Sequence, residues 1–201
     1  MILQSSYNAD QCMDMPFRLV NTEIPEVKVI EPKAFPDERG YFLESFKKSD
    51  FLALGIDRDF KQDNHSFSVA GTLRGLHFQK PPFAQGKLLR VVQGRIVDVA
   101  VDVRPGSPTY GKFVSRELSS DNHLMLWVPE GFAHGFLALE DSQVLYKATS
   151  EYNKASEGGL IWNDPDVGIK WPLKSPVLSD KDTQWPLLKD LRSGFNYGEA
   201  Q

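Results

Sequence analysis

Between residues 88 and 150 apolar and polar positions alternate in short runs, the period of half-buried β-strands rather than of amphipathic helices. Val97, Val99, Val101 and Val103 alternate with Asp98, Ala100 and Asp102. The pattern predicts a hairpin: Leu88 to Val92, a Gln93-Gly94 turn whose glycine supplies a positive φ, then Arg95 to Val103. Pro105-Gly106-Ser107-Pro108 ends that run. Further strands are expected over Lys112 to Leu118, Leu124 to Val128, Gly135 to Leu139 and Val144 to Ser150. Nearer the start, Val27 to Pro32 reads as a short strand halted by proline, and Pro36 to Gly40 as a turn. Tyr41 to Phe46 reads as a strand with Phe42, Glu44 and Phe46 on one face. Ser49 is placed to cap a short helix through Leu54, with Gly55 as its stop. Short strands divided by turn signals predict an all-β sandwich or barrel, not βαβ units.

The chain has 201 residues and shows no repeat, low-complexity block or linker, so one domain is expected. We divide it into an N-terminal extension (1–21), a single domain (22–190) and a C-terminal tail (191–201). Asn163 to Gln184, rich in Asp, Pro and Trp, is expected to pack irregularly over the sandwich, and Gly194 onward to fray. Hydrophobic residues at 41% rule out a disordered chain. A net charge of −4 argues against a nucleic-acid partner or a polybasic membrane anchor, but leaves room for a local cationic pocket. Cys12 is the single cysteine, so no intrachain disulfide forms. Met1 to Asp10 lacks the pattern of a signal peptide, and no apolar run is long enough to span a membrane. A cytoplasmic protein is expected.

Chemistry concentrates around two histidines. His77 interrupts an apolar strand in Leu73-Arg74-Gly75-Leu76-His77-Phe78-Gln79, and His134 falls between two expected strands in Pro129-Glu130-Gly131-Phe132-Ala133-His134-Gly135-Phe136. The second stretch contains P-x-G-x-x-H, which resembles the second metal-binding motif of the cupins. Metal cupins carry H-x-H and a glutamate in the first motif; this chain has His77-Phe78-Gln79 and no glutamate before Gly86. Two ligands of a three- or four-ligand site are missing, so the site reads as metal-free. His65 and His123 are given no chemical role.

Eight strings then point to one family. They are Asp37-Glu38-Arg39-Gly40, Gln62-Asp63-Asn64-His65-Ser66, Leu73 to Gln79, Gln85-Gly86-Lys87, Trp127 to Phe136, Leu145-Tyr146-Lys147-Ala148-Thr149, Trp162-Asn163-Asp164 and Leu178-Ser179-Asp180-Lys181-Asp182. In this order they resemble the dTDP-4-dehydrorhamnose 3,5-epimerases. The resemblance implies a cupin-like jelly-roll β-sandwich and a cofactor-free homodimer. It also implies action on a dTDP-4-keto-6-deoxy sugar in dTDP-L-rhamnose synthesis.

The implied chemistry has fixed requirements. In a 4-keto sugar C3 and C5 both adjoin the carbonyl, so inversion needs a base on one face, a stabiliser at O4 and an acid on the other face. By resemblance His77 is the base and Asp182 its orienting carboxylate, Lys87 stabilises the enolate and Tyr146 is the acid. No hydride moves, so no nicotinamide is needed, and no G-x-G-x-x-G is present. Arg39, Arg74 and Lys181 match substrate-contacting positions suited to a diphosphate. Glu44, Gln62, Asn64, His134 and Glu157 match positions that hold sugar hydroxyls or thymine, and Tyr152 an aromatic flanking the substrate. Three other readings compete: a mono-epimerase acting at C3 or C5 alone, a non-catalytic sugar-nucleotide-binding cupin, and a metal-dependent cupin oxygenase or isomerase.

Overall fold

The computed structural model describes residues 16–198. Its strands are β1 (Phe17–Val20), β2 (Lys28–Pro32), β3 (Ala34–Asp37), β4 (Gly40–Leu43), β5 (Gln62–Ser68), β6 (Leu73–Gln79) and β7 (Lys87–Gln93). They continue with β8 (Arg95–Asp102), β9 (Phe113–Ser119), β10 (Met125–Val128), β11 (Phe132–Ala138), β12 (Ser142–Ala148) and β13 (Glu157–Gly159). One α-helix, α1 (Lys48–Ala53), and three short 3-10 turns complete the described residues. A six-stranded sheet runs β1-β2-β10-β7-β12-β5 and a five-stranded sheet β13-β6-β11-β8-β9, while β3 and β4 pair only with each other. From β5 onward the chain passes back and forth between the two sheets, as in a jelly roll. Among the described residues no helix is long and apolar enough to cross a membrane.

Apolar packing occupies three layers. Between the sheets lie Ile96, Ala100, Val114, Leu126, Phe132 and Val144, all nearly inaccessible. Leu76, Val99, Val101, Leu160 and Phe195 cover the outer face of the five-stranded sheet. Phe51 and Leu54 of the α1 region cover Leu88, Met125 and Trp127 on the outer face of the other. Each of the larger of these side chains (Val, Leu, Ile, Met, Phe) contributes about 1.5–3 kcal/mol on burial. Because both faces of β8 are covered, its even and odd positions are alike buried, and its Val/Asp alternation does not mark a solvent-facing side.

The predicted hairpin is not formed. Lys87–Gln93 and Arg95–Asp102 are consecutive strands, but β7 pairs with β10 and β12 whereas β8 pairs with β11 and β9. Gly94, at φ +79°, turns the chain from one sheet into the other. A Cβ there would stand 2.4 Å from the Asp141 carbonyl oxygen. Sequence periodicity reports a turn but not which partners the two arms choose. His134 lies inside β11 rather than between strands. Lys47, not Ser49, is the N-cap of α1, and Ser49 sits in its first turn. β5 went unseen because Gln62, Asn64, Ser66 and Ser68 make its more buried face polar.

The boundaries also differ. Residues 17–20, assigned to the extension, pair with β2 from Phe17↔Pro32 to Val20↔Val29, and Phe17 is buried against Phe51. Residues 1–15 of the extension lie outside the described residues. In the tail, Phe195 is buried and its ring stands 5.9 Å from that of Phe78, so the chain is packed at Phe195 where fraying was expected; residues 199–201 lie outside the described residues.

Strands β6 and β11 approach most closely at a register shift between His134 and Phe136. A Cβ on Gly135 would lie 2.5 Å from the Arg74 carbonyl oxygen and 3.0 Å from Gly75 Cα, and backbone cannot rotate aside. Gly135→Ala is therefore expected to cost about 1–3 kcal/mol and lower Tm by several degrees in a calorimetric scan. An unchanged Tm would show that the two strands part freely.

Candidate active site

Alternation along each strand decides which side chains enter the space between the sheets. In β6 and β11, His77 and His134 sit directly opposite each other. From the facing sheet, Lys87 on β7 and Tyr146 on β12 enter the same space, where Tyr146 pairs with Leu89. These four, with Ser66, Arg74, Leu89, Phe136, Val177, Ser179, Lys181 and Asp182, line a cavity of about 620 Å³.

His77 Nε2 lies 2.5 Å from Asp182 Oδ1. The Asp182 side chain is nearly buried in a 3-10 turn capped by Ser179, and Trp185 Nε1 reaches the same carboxylate at 3.4 Å. Burial works to raise the Asp182 pKa, but the bond and charge of His77, helped by Ser179 and Trp185, outweigh it and hold the carboxyl below its ordinary range. The carboxylate fixes the imidazole so that Nε2 carries the shared proton and Nδ1 is free to accept one. Gln79, where a metal cupin has its second histidine, is occupied: Nε2 donates to the Phe83 and Glu151 carbonyls and Oε1 accepts from Asn153 N–H. Among the described residues no group of three or more His, Cys, Asp or Glu is arranged to hold a metal ion.

Lys87 makes no hydrogen bond or ion pair with the described residues, although part of its surface opens to the cavity. Burial pulls its pKa down to about 8, with the charges of Asp98 and Glu157 resisting. Burial pushes the Tyr146 phenol above its ordinary value, the nearby Arg74 charge pulling the other way. Burial likewise lowers His134, which bonds Asp98 Oδ1 at 2.6 Å, so the imidazole is neutral at pH 7. Arg74 is held by Ser68 Oγ and the Phe67 carbonyl, 2.8 and 2.9 Å away.

The other anticipated residues fall into two groups. A hydrogen-bonded rim runs from Asn64 Oδ1 to Gln62 Nε2, from Gln62 Oε1 to Tyr152 N, and from Glu157 Oε1 to Lys181 Nζ, at 2.7–2.8 Å each. Of these four only Glu157 bonds a residue that lines the cavity, Lys181; Tyr152 Oη reaches Glu157 Oε2 at 3.5 Å, and Asn64 lines an adjoining pocket that shares Leu89 and Tyr146. Arg39 and Glu44 do not join them. Arg39 sits at the tip of the self-paired β3–β4 hairpin, its side chain 83% exposed and bound to Asp37 at 2.5 Å, and Glu44 directly follows that hairpin. Two residues escaped the sequence reading. Ser66 Oγ is buried in the cavity wall without a partner among the described residues, and Asp98 is a fully buried carboxylate. The available signal for Asp98 was a charge inside a strand whose neighbours are all apolar.

Fold and site together define a cupin-like β-sandwich with an acid–base cavity between its layers. The family follows from the sequence as a whole. The profile of the dTDP-4-dehydrorhamnose 3,5-epimerases matches residues 21–190, and the chain belongs to that family. It is 52% identical over 166 residues to the dTDP-4-dehydrorhamnose 3,5-epimerase of Shigella flexneri, covering 82% of this chain and 92% of the other. The crystal structure of the Legionella pneumophila dTDP-6-deoxy-D-glucose-3,5-epimerase in complex with dTDP-4-keto-L-rhamnose superposes with a TM-score of 0.87. It has 44% identity and covers 91% of this chain and all of the other. A 3′-monoepimerase from Streptomyces bikiniensis, in complex with dTDP-quinovose, gives a TM-score of 0.78 at 35% identity, over 83% and 86% of the two chains.

The Asp182 shift has a consequence for stability. A carboxyl whose pKa falls on folding stabilises the protein above its unfolded value of about 3.9 and loses that contribution as pH drops through the folded value. Asp182→Asn should be less stable by about 1–3 kcal/mol at pH 7, with the gap to the wild type closing below about pH 4. Urea unfolding between pH 3 and 7 checks this; a gap independent of pH would mean the carboxylate charge is not what binds His77.

Proposed function

We propose that the cavity epimerises dTDP-4-dehydro-6-deoxy-D-glucose at C3 and C5, giving dTDP-4-dehydro-L-rhamnose for surface polysaccharide synthesis in the cytoplasm. The observation that carries this reading is that His77 and Tyr146 line one cavity from opposite sheets. A sugar ring lying between the layers then has a base on one face and a phenol on the other.

The steps balance without oxidant or reductant. His77 Nδ1 removes the proton from C3 or C5, and the C–H electron pair moves into the ring to leave negative charge on O4. Lys87 stabilises that enolate, and Asp182 stabilises the imidazolium. Tyr146 then gives its hydroxyl proton to the same carbon from the other face; its raised pKa keeps that proton in place until the carbanion forms. Phenolate and imidazolium exchange protons with solvent, and the enzyme returns to its starting state. Arg74 and Lys181 provide cationic donors for the diphosphate, and His134 and the rim of Gln62, Asn64, Tyr152 and Glu157 hold sugar hydroxyls or thymine.

A homodimer completes this arrangement. The β3–β4 hairpin exposes Phe35, Tyr41 and Phe42 and pairs with no other strand. A second copy covers those rings, and Arg39 and Glu44 serve the cavity of that copy rather than their own. The likeness to a 3′-monoepimerase supports a second reading, inversion at a single centre.

Proton NMR of the 4-keto substrate in D₂O, coupled to a 4-ketoreductase to trap product, tests the reaction. Deuterium is expected at both C3 and C5 with L-rhamnose configuration. Label at one carbon would support the mono-epimerase, and tight nucleotide binding without label would make this a binding module. His77→Ala should abolish exchange at the ring carbons, Tyr146→Phe should impair inversion more than substrate binding, and Lys87→Ala should slow turnover by about 10²–10³.

A further inference from the structure

Asp98 stands on β8 between Ile96 and Ala100, both fully buried residues of the inter-sheet core. Its own exposure is 0%. Oδ1 accepts from His134 Nε2 at 2.6 Å and from the Val99 N–H at 3.1 Å, while Oδ2 has no partner among the described residues. A buried carboxylate with one oxygen unsatisfied is a poor source of stability, since well-packed apolar residues do as well or better. Its one side-chain partner, His134, faces the cavity beside Lys87 and opposite His77. His134 and Lys87 thus line one cavity from opposite sheets, with Asp98 bonded to the imidazole from behind.

We infer that Asp98 is a positioning residue for the reaction: through His134 it fixes a neutral imidazole with Nδ1 as acceptor, and it supplies the counter-charge that keeps Lys87 an ammonium. The inference rests on the reading of Lys87 as the enolate stabiliser. The other titratable groups in or at the edge of this cavity are His77, Arg74, Tyr146, Glu157, Lys181 and Asp182. Of these only Glu157 joins Asp98 in supporting the Lys87 charge, and Glu157 is already bonded to Lys181. His134 is held neutral and cannot compete for the Asp98 charge at pH 7. Removing the Asp98 charge leaves burial less opposed, so Lys87 loses its proton at lower pH.

The test is Asp98→Asn, which keeps shape and removes charge. Lys87 ionisation is followed by NMR of lysine labelled with ¹³C at Cε, with Lys87→Arg identifying the signal. The wild-type midpoint is expected near about 8, and the Asp98→Asn midpoint about half a unit or more lower. Turnover should fall about ten- to a hundredfold, as for other groups that orient a reacting residue from behind, with the alkaline limb of kcat/KM shifted the same way and dTDP affinity kept within about twofold. A fallen turnover with an unmoved Lys87 midpoint would overturn the inference and leave Asp98 a packing residue. A moved midpoint with unchanged turnover would uphold Asp98 as the support of Lys87 and refute instead the role given to Lys87. Should the asparagine variant not fold, Asp98→Ser, which also removes the charge and leaves room for water, gives the same readout.

Discussion

His77 Nε2 and Asp182 Oδ1 stand 2.5 Å apart although 105 residues separate them in the chain. The bond joins the middle of a sheet strand to a coil that crosses the outside of the sandwich, and the cavity needs both. Val177, Leu178, Ser179, Lys181 and Asp182 form one wall of it, all from this coil. The coil has little regular structure to hold it: one parallel bridge, Thr72↔Val177, and isolated bonds such as Leu73 N–H to the Val177 carbonyl at 2.9 Å. The ion-assisted bond to His77 therefore closes the wall and aims the imidazole in one contact. From within the coil, Ser179 Oγ accepts from the Asp182 backbone N–H at 3.3 Å and Trp185 Nε1 donates to Asp182 Oδ1 at 3.4 Å, so the coil itself holds the residue that meets His77.

A second constraint is the shared use of each strand by core and site. On β7, Lys87 points into the cavity while Val91 packs in the core, with Leu89 touching both. On β12, Tyr146 enters the cavity and Val144 the core, and on β11, His134 lies between Phe132 and Phe136. Antiparallel pairing thus carries apolar packing and reactive groups on one face, a few residues apart. Packing that fixes Val144 and Phe132 also fixes Tyr146 and His134, since neighbours at i±2 share a pleat. The cost is that ionisable groups lie against apolar surface, which is what moves Lys87, His134 and Tyr146 from their ordinary ranges.

Sequence carried the strands and the reactive residue types further than it carried their partners. Period-2 alternation located β8 to within a residue of its observed end at Asp102, because β-branched residues fill it. The same pattern misassigned its pairing with β7, since a glycine turn has the same composition whether the chain stays in its sheet or leaves it. β5 lacked the signal because its inward residues serve a polar cavity rather than an apolar core. Seven anticipated residues (Arg74, His77, Lys87, His134, Tyr146, Lys181, Asp182) line one cavity, yet only resemblance had brought Asp182 to His77. Spacing alone does not specify a contact between a strand and a coil a hundred residues on. Arg39 and Glu44 show the reverse: the motif fixes the residue types, yet the fold carries them on and just after the β3–β4 hairpin, off the lining of this cavity.

The balance of charge within the cavity bears on how a sugar nucleotide would meet it. Arg74, Lys87 and Lys181 face Asp98, Asp182 and Glu157, but the pairing is uneven. Lys181 takes Glu157 and His77 takes Asp182, while Arg74 has neutral partners and Lys87 has none within bonding distance. Two cations are therefore left without a direct anion, one from each sheet. A diphosphate near Arg74 would add negative charge and, by Coulomb's law in a poorly solvated site, favour the protonated form of Lys87. If Lys87 is the enolate stabiliser proposed above, favouring its ammonium form would strengthen it for a developing oxyanion. On the proposed reading, electrostatics as well as shape would orient the substrate, with the sugar toward His77 and Lys87 and the anion toward Arg74 and Lys181.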